Sequence, residues 1–327
     1  MDARALSKHV EKKLNATKVC RLALLEIWLC LLASWAGGQF WLFDLFSHFY
    51  VQYALVTFVT SLGFLWLYAW RFAWMSIATL AVLAFAIGSS YIPRSITSSD
   101  NAEVRRVRIV SCNVLTKNTN KESVLKFLRE TKPDVALFME VDQAWADALQ
   151  PLLSEFPFHR FVAREDNFGI ALLSTSKFKE INVREFDASG VPSIVAVVDF
   201  DDCQLRVIGT HPLPPIGSER SNRRNQHLAQ LAELVKDSVL PTVVVGDLNC
   251  TPWSPHFRRL LQRAKLADSR LGFGIQATWP TDILPLRIPI DHALVSPEIG
   301  VFHRFVGPHI GSDHFPIVVD IQVPMKK

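Results

Sequence analysis

The pattern of hydrophobic and polar positions changes character once along the chain. Between Val19 and Ile92 the only charged residues are Arg21, Glu26, Asp44 and Arg71, in a window crowded with Trp, Phe and Leu. A hydrocarbon core about 30 Å thick takes roughly 20 apolar residues per helical crossing. Three stretches are long enough, about 20–37, about 49–70 and about 73–92, and they predict about three transmembrane helices within residues 1–94. Glu26 in the first is costly in lipid and is expected to face other helices or to sit near an interface. Trp41, Tyr50, Trp70, Trp74 and Tyr91 fall near the ends of the stretches, where amphipathic rings form interfacial belts. Two competing readings stay open. A cleaved signal peptide at 1–30 leaves the later stretches unexplained and lacks a convincing small-x-small site. A soluble all-helical domain is the other.

The basic residues set an orientation. The N-terminal tail is rich in Lys and Arg, the 38–48 connection has none, and the second connection carries Arg71. Positive-inside logic places the N-terminus in the cytoplasm. Three crossings then deliver the remainder to the far side, which in a bacterium makes this a multi-pass inner-membrane protein with a periplasmic domain. Residues 95–104, opening with SITSSDNA, read as a polar linker.

From 105 to 327 short β-rich runs alternate with amphipathic helical ones. Strand-like runs lie near 107–112, 134–140, 169–173, 194–200, 205–210, 242–246, 291–295 and 316–322. Helical patterns lie near 120–130 and 219–237, the latter with Leu228, Leu231, Leu234 and Val235 on one stripe.

Charge and cysteine narrow the function. Residues 1–94 hold eight basic and four acidic residues, which accounts for the whole formal net charge of +4 and leaves the remainder neutral. That lowers the case for a dedicated duplex-binding protein, whose affinity rests on phosphate neutralisation. Cys20, Cys30, Cys112, Cys203 and Cys250 show no zinc spacing and no disulfide framework.

Polar groups gather at the strand ends. RIVSCN ends at Asn113, PDVALFME at Glu140, LRVIGTH at His211 and VVVGDLN at Asp247 and Asn249. Asp291 and His292 open another run, and Ser312, Asp313 and His314 precede the last. Singly, each is an ordinary turn or cap residue. Glu140 is the exception, because a carboxylate closing a run as apolar as VALFM needs a partner. Together they supply oxygen ligands suited to a hard cation such as Mg²⁺ or Mn²⁺, Asp–His pairing suited to general-base work, and amides suited to phosphoryl charge.

With GDLN at 246–249 and SDHFP at 312–316, and with Asn113, Glu140, the TH at 210–211 and the IDH at 290–292 in order, the chain resembles the endonuclease/exonuclease/phosphatase superfamily over about residues 105–323. That superfamily includes deoxyribonucleases, abasic-site endonucleases, neutral sphingomyelinases and inositol polyphosphate phosphatases. The resemblance implies an α+β fold, a four-layer α/β-sandwich of two packed sheets flanked by helices, with the site at one rim. It implies Glu140 as principal metal ligand with Asn113 beside it and Asp313 as a further candidate. It implies Asp247 as the residue handling the attacking water, Asn249 as the amide on the phosphate, and His314, oriented by Asp291, as a catalytic histidine. His211 resembles the histidine of the deoxyribonuclease and sphingomyelinase branches, which makes an abasic-site substrate less expected. Arg220, Arg223 and Arg224 in GSERSNRRN could grip a phosphate through their donor forks or form a solvated helix face. Arg105, Arg106 and Arg108 read as a juxtamembrane stretch or an edge strand.

The expected activity is Mg²⁺- or Mn²⁺-dependent hydrolysis of a phosphoester. Substrate candidates are a nucleic acid, a nucleotide or a phospholipid headgroup. The bilayer is the expected partner, with no obligate protein partner, and a catalytically silent binding protein remains the alternative.

Overall fold

The structure is a computed structural model that describes residues 3–93 and 103–326, so residues 95–102 of the expected linker lie outside it. The chain divides into two compact units, Met1–Ser89 and Ser90–Lys327.

The first unit is helical: α1 (Ala3–Trp35), the short α2 (Trp41–Leu45), α3 (Tyr50–Trp66) and α4 (Trp70–Gly88). Among the described residues two segments, Trp41–Trp66 and Trp70–Tyr91, are long and apolar enough to cross a membrane. The expected first crossing, about 20–37, falls on the C-terminal part of α1 and the turn after it, a stretch that carries Arg21 and Glu26. The polarity of this unit is inverted relative to a water-soluble bundle. Thr57, Thr60, Ser61, Ser76 and Thr79 are buried, while Leu55, Val59, Leu62, Trp66, Val82 and Phe85 are exposed. The inward hydroxyls bond back to their own helices, as Thr57 does to the Tyr53 carbonyl at 2.6 Å. They also bond across helices: Ser61 donates to Ser76 at 2.9 Å, and the Trp28 indole to Thr79 at 2.9 Å. Small polar residues inside and large apolar ones outside is the arrangement of helices packed in lipid.

The second unit has twelve strands: β1 (Val104–Asn113), β2 (Val135–Met139), β3 (Phe158–Val162), β4 (Ile170–Ser174), β5 (Phe178–Glu185), β6 (Pro192–Asp199), β7 (Gln204–Gly209), β8 (Thr242–Asp247), β9 (Ala267–Asp268), β10 (Asp291–Val295), β11 (Gly300–Val306) and β12 (Ile317–Pro324). Four helices join them: α5 (Lys121–Thr131), α6 (Gln143–Ala148), α7 (Gly217–Val235) and α8 (Pro255–Ala264). The strands form two six-stranded sheets, ordered β11-β12-β1-β2-β4-β3 and β5-β6-β7-β8-β10-β9. Val135, Leu137 and Met139 of β2 and Val243 and Val245 of β8 meet in one core between the sheets. The alternate residues face outward onto helices, Ala136 and Phe138 toward α5 and α6, and Val244 toward α7 and α8. Central strands buried on both faces are why VALFM and VVV are unbroken apolar runs. The result is the expected four-layer α+β sandwich.

Both sheets have a parallel central pair, β1 with β2 and β7 with β8. β10 runs antiparallel to β8 and brings Asp291 opposite Asp247. The strand pattern also held β3, β5, β9 and β11, which the apolar runs did not reveal. β3 and β5 are largely exposed, β5 reading FKEINVRE, and β11 is an edge strand of mixed burial whose run is broken by His303 and Arg304. A strand facing solvent has no reason to carry an apolar run.

Behind β10 lies a buried polar layer. Arg270 grips Asp268 at 2.6 Å and donates to the Ile275 carbonyl at 3.0 Å, and both side chains are buried. Arg304 donates to the Asp291 carbonyl at 3.2 Å and to Gln276, and the His292 Nε2 donates to the Cys250 carbonyl at 2.8 Å. Removing one member of a buried ion pair strands the other charge, at a cost of about 3–5 kcal/mol. Arg270→Ala is therefore expected to lose about that much stability. The double substitution Asp268→Leu/Arg270→Met should lose clearly less. Denaturation midpoints of the full chain in detergent read the difference, and equal losses would mean the pair only fills space.

Candidate active site

Each expected residue is placed by its strand end. Asn113 closes β1 and is buried. Glu140 follows β2 with φ of 63°, and Asn249 follows β8 with φ of 49°. Left-handed backbone is costly for residues with a Cβ and concentrates where a side chain must be aimed. Gly246 between them in space has φ of 144°, and a Cβ there would lie 1.9 Å from the Thr210 carbonyl oxygen. Only glycine lets β7 and β8 close together at this level.

Glu140 finds the partner that its burial demands. Asn113 Nδ2 donates to it at 3.0 Å and the Thr116 amide at 3.4 Å. Burial still raises its pKa, with the Asn113 hydrogen bond and the charge of His314 pulling it down.

Asp291, His314, Asp247 and His211 form a line of buried groups. The His314 Nδ1 meets the Asp291 carboxylate at 2.9 Å, and its Nε2 lies 3.7 Å from Asp247. His211 Nε2 approaches the same Asp247 oxygen at 3.5 Å. Burial disfavours a charged His314, but Asp291 and then Asp247 outweigh it and push its pKa up to about 10. Burial, reinforced by the charge of His314, drives His211 down to about 3, so that ring is neutral. Burial raises Asp247 to about 8, with His314 opposing and Asp291 adding to the rise. Asp291 goes the other way: burial would raise it, and the charge and hydrogen bond of His314 hold it below the usual carboxylate range.

Burial raises the pKa of two carboxylates, Glu140 and Asp247, and a cation bound beside them would favour their charged forms. Asp313 accepts from the Trp279 indole at 3.0 Å through one oxygen, and its other oxygen is buried without a partner. Asp247, Asp291 and His314 offer ligand atoms within 4.8 Å of one another, close enough to hold a metal ion. The donor set is oxygen-rich and thiolate-free, which fits a hard divalent ion.

Asn249 donates from its side chain to the Pro212 carbonyl at 3.0 Å, and its amide N–H donates to Asp247 at 2.8 Å. Arg224 corrects an expectation. It is buried, and it donates to the Asn249 carbonyl at 2.9 Å and to Asn225 at 2.8 Å, so it braces the site from behind. Arg220 is exposed and Arg223 half-buried on the same helix.

The structure adds residues that the motifs did not single out. Trp279 holds Asp313 and lies 6.3 Å, ring to ring, from His314. Thr278 accepts from the Asp291 amide at 3.4 Å, and Phe168 packs 5.4 Å from the His211 ring. The only signal for the first two was an aromatic residue among small polar ones in TWPTD at 278–282.

Solved structures share this architecture. TDP2 from D. rerio, in complex with a single-strand DNA product, superposes with a TM-score of 0.57 at 17% identity, covering 66% of this chain and 98% of its own. An endonuclease/exonuclease/phosphatase from Bacteroides vulgatus gives 0.56 at 18% identity, covering 67% and 99%. One from Beutenbergia cavernae gives 0.55 at 18% identity, covering 67% and 72%. No curated protein sequence matches. The profile of the Endonuclease/Exonuclease/phosphatase family matches residues 110–314, from β1 to His314, and the chain belongs to that family.

Proposed function

We propose that the protein is a membrane-anchored, divalent-metal-dependent phosphodiesterase of nuclease type, cleaving by in-line attack of water at phosphorus. The observation that carries this reading is the Asp291–His314 pair at 2.9 Å, aimed at an Asp247 that His211 also faces. Mg²⁺ or Mn²⁺ held by Glu140 with Asn113 and Asp313 would neutralise phosphoryl charge and acidify a bound water.

The chain's own groups divide the remaining work. Asp247, in its ionised form, takes the proton of the attacking water. His314, kept charged by Asp291, presents a proton and a positive charge to the phosphoryl group. His211, kept neutral, adds a polar contact without a competing charge. Asn249 spends one amide hydrogen on Pro212 and has a second for a phosphate oxygen. Asn113 orients Glu140.

The solved complex of TDP2 with a DNA product supports a polynucleotide as one substrate class. A second reading, a phospholipid headgroup, is favoured by exposed apolar residues on the segments that flank the site. Ile216 follows the His211 segment with 69% exposure, and Leu284 lies between Thr281 and Arg287 with 70%. The inverted polarity of the helical unit supports anchoring in a bilayer. The basic N-terminal tail favours a cytoplasmic N-terminus, and three crossings would then put the catalytic domain in the periplasm.

The full chain in detergent, with Mg²⁺ or Mn²⁺, is expected to hydrolyse at least one of plasmid, single-stranded DNA, sphingomyelin or bis-nitrophenyl phosphate. Glu140→Ala and His314→Ala should each lower kcat by about 100-fold or more. A wild type that binds metal and is inert on all four would make this a silent binding protein.

The pH dependence has a definite sign. A histidine whose pKa is raised is charged below that value and loses its charge as pH rises through it. With His314 up at about 10, activity that needs its proton should persist well into the alkaline range. Asp291→Asn removes the largest support for that charge. The descending limb of kcat/KM should then move toward neutrality, and an unmoved limb would take the proton role away from His314. A reporter fused after Lys327 should be active outside the cytoplasm, and cytoplasmic activity would reverse the orientation.

A further inference from the structure

A second buried histidine stands one residue's thickness behind the site, and the reaction as described does not use it. His227 lies on α7 with no exposed surface, and both its ring nitrogens are engaged. Its Nδ1 meets the Asp187 carboxylate at 3.0 Å, and its Nε2 meets the Thr210 hydroxyl at 2.7 Å. The Thr210 hydroxyl also lies 2.7 Å from that of Ser193 on β6. Thr210 is the residue before His211.

The chemistry of the groups fixes the direction of every proton in this line. An ionised carboxylate can only accept. The second carboxylate oxygen of Asp187 accepts from the Ser189 amide at 2.7 Å, as an ionised group does. Asp187 therefore takes the hydrogen on Nδ1. In the neutral ring that leaves Nε2 bare, and a bare nitrogen accepts. Two hydroxyls reach it, Thr210 at 2.7 Å and Ser193 at 3.4 Å, and the shorter contact makes Thr210 the main donor, with its oxygen free to accept from Ser193. The short contact to Nε2 selects one rotamer of Thr210.

That rotamer matters because of what surrounds Thr210. Its amide donates to the Val245 carbonyl at 3.1 Å, and its own carbonyl oxygen occupies the space that a Cβ on Gly246 would need. The backbone is thus pinned toward β8 while the side chain is gripped from α7. His211 itself is held weakly. Its Nδ1 is buried without a partner, its Nε2 has only the 3.5 Å approach to Asp247, and Phe168 packs nearby.

We propose that Asp187 and His227 form a buried positioning relay that fixes Thr210 and, through it, aims His211 at the phosphoryl site. They are positioning residues, since neither touches substrate. The proposal rests on the functional reading above, because it gives His211 a place in the reaction.

Paired variants test it in the full chain in detergent, with Mn²⁺ and bis-nitrophenyl phosphate. Thr210→Val keeps the shape of threonine and removes the hydroxyl, whereas Thr210→Ser keeps the hydroxyl. A misplacement of about 1 Å costs on the order of 100-fold in rate. Thr210→Val and His227→Phe are each expected to lower kcat by roughly 10- to 100-fold with KM little changed. Thr210→Ser and His227→Gln, which keep an acceptor and a donor in line, should recover most of it. Adding His227→Phe to His211→Ala should cost no more than His211→Ala alone.

Independently of turnover, the His211 imidazole ¹⁵N resonances should broaden or split in Thr210→Val and stay single in Thr210→Ser. Wild-type kcat in Thr210→Val and His227→Phe, with His211→Ala impaired, would overturn the relay and leave the functional reading standing. Full activity in His211→Ala would instead remove His211 from the reaction, and the relay's purpose with it. Equal losses in Thr210→Ser and Thr210→Val would reduce the line to packing. Where His227→Phe yields no folded protein, the threonine pair decides alone.

Discussion

Two carboxylates and an imidazolium share a space from which water is nearly excluded, and none of them could be there alone. Asp247, Asp291 and His314 are all close to fully buried. An isolated buried charge costs far more than a fold can supply, so such a group is paired or it titrates away. Here Asp291 is charged because His314 is, and His314 is charged because two acids face it. Asp291 and Asp247 arrive from β10 and the end of β8, neighbours in one sheet, and His314 from the segment before β12 in the other. The demand that they meet fixes how the two sheets superpose at this rim. It also explains why Gly246 and the left-handed Glu140 and Asn249 stand there, where the chain accepts strain to bring strand ends within reach.

What the sequence discloses follows burial. Strands packed on both faces, such as β2 and β8, announce themselves as apolar runs, and the polar residue that ends each of these two runs stands at the shared rim. β3 and β5 are edge strands facing solvent, so their residues carry charges and no periodic stripe, and in the edge strand β11 the polar His303 and the buried Arg304 interrupt the apolar run. α8 went unread because PHFRRLLQRA is ten residues with three arginines, although it buries Phe257, Leu260 and Ala264. Arg224 shows a different limit. In the run RSNRRN it looks like one of three equivalent cations, yet helical phase separates it from the others. It falls on the stripe of Leu228, Leu231 and Val235, and that stripe faces the sheet. The phase was legible; that an arginine would follow it inward depended on a carbonyl waiting there.

The two units solve opposite problems with the same residues. In the second, apolar side chains fill the space between sheets and polar ones gather at a single rim. In the first, hydroxyls share the interior with Leu24, Phe64 and Leu83 while many large apolar side chains take the outside, which in water would be unfavourable. The neutral charge of the region after residue 94 belongs in the same account. Affinity for a substrate there does not come from a broad basic field, so discrimination must come from the few groups at the rim and the apolar residues beside it.

Arg224 and His227 sit three residues apart on the inner face of α7, and they reach two different segments of the rim. Arg224 holds the Asn249 carbonyl beyond β8, and His227 holds the Thr210 hydroxyl beyond β7. Side chains at this spacing are neighbours on a helix, about 5–6 Å apart at Cβ. A rigid helix therefore ties together the two loops that carry His211 and Asn249. β7 and β8 pair as far as Gly209 and Val245, and the Thr210 amide adds one last bond to the Val245 carbonyl. Beyond that bond the side chains of α7 brace the two segments that the ladder leaves unpaired. A helix that merely covered the sheet would need only its leucines; a buried arginine and a buried histidine on the same face add a polar anchor to each segment.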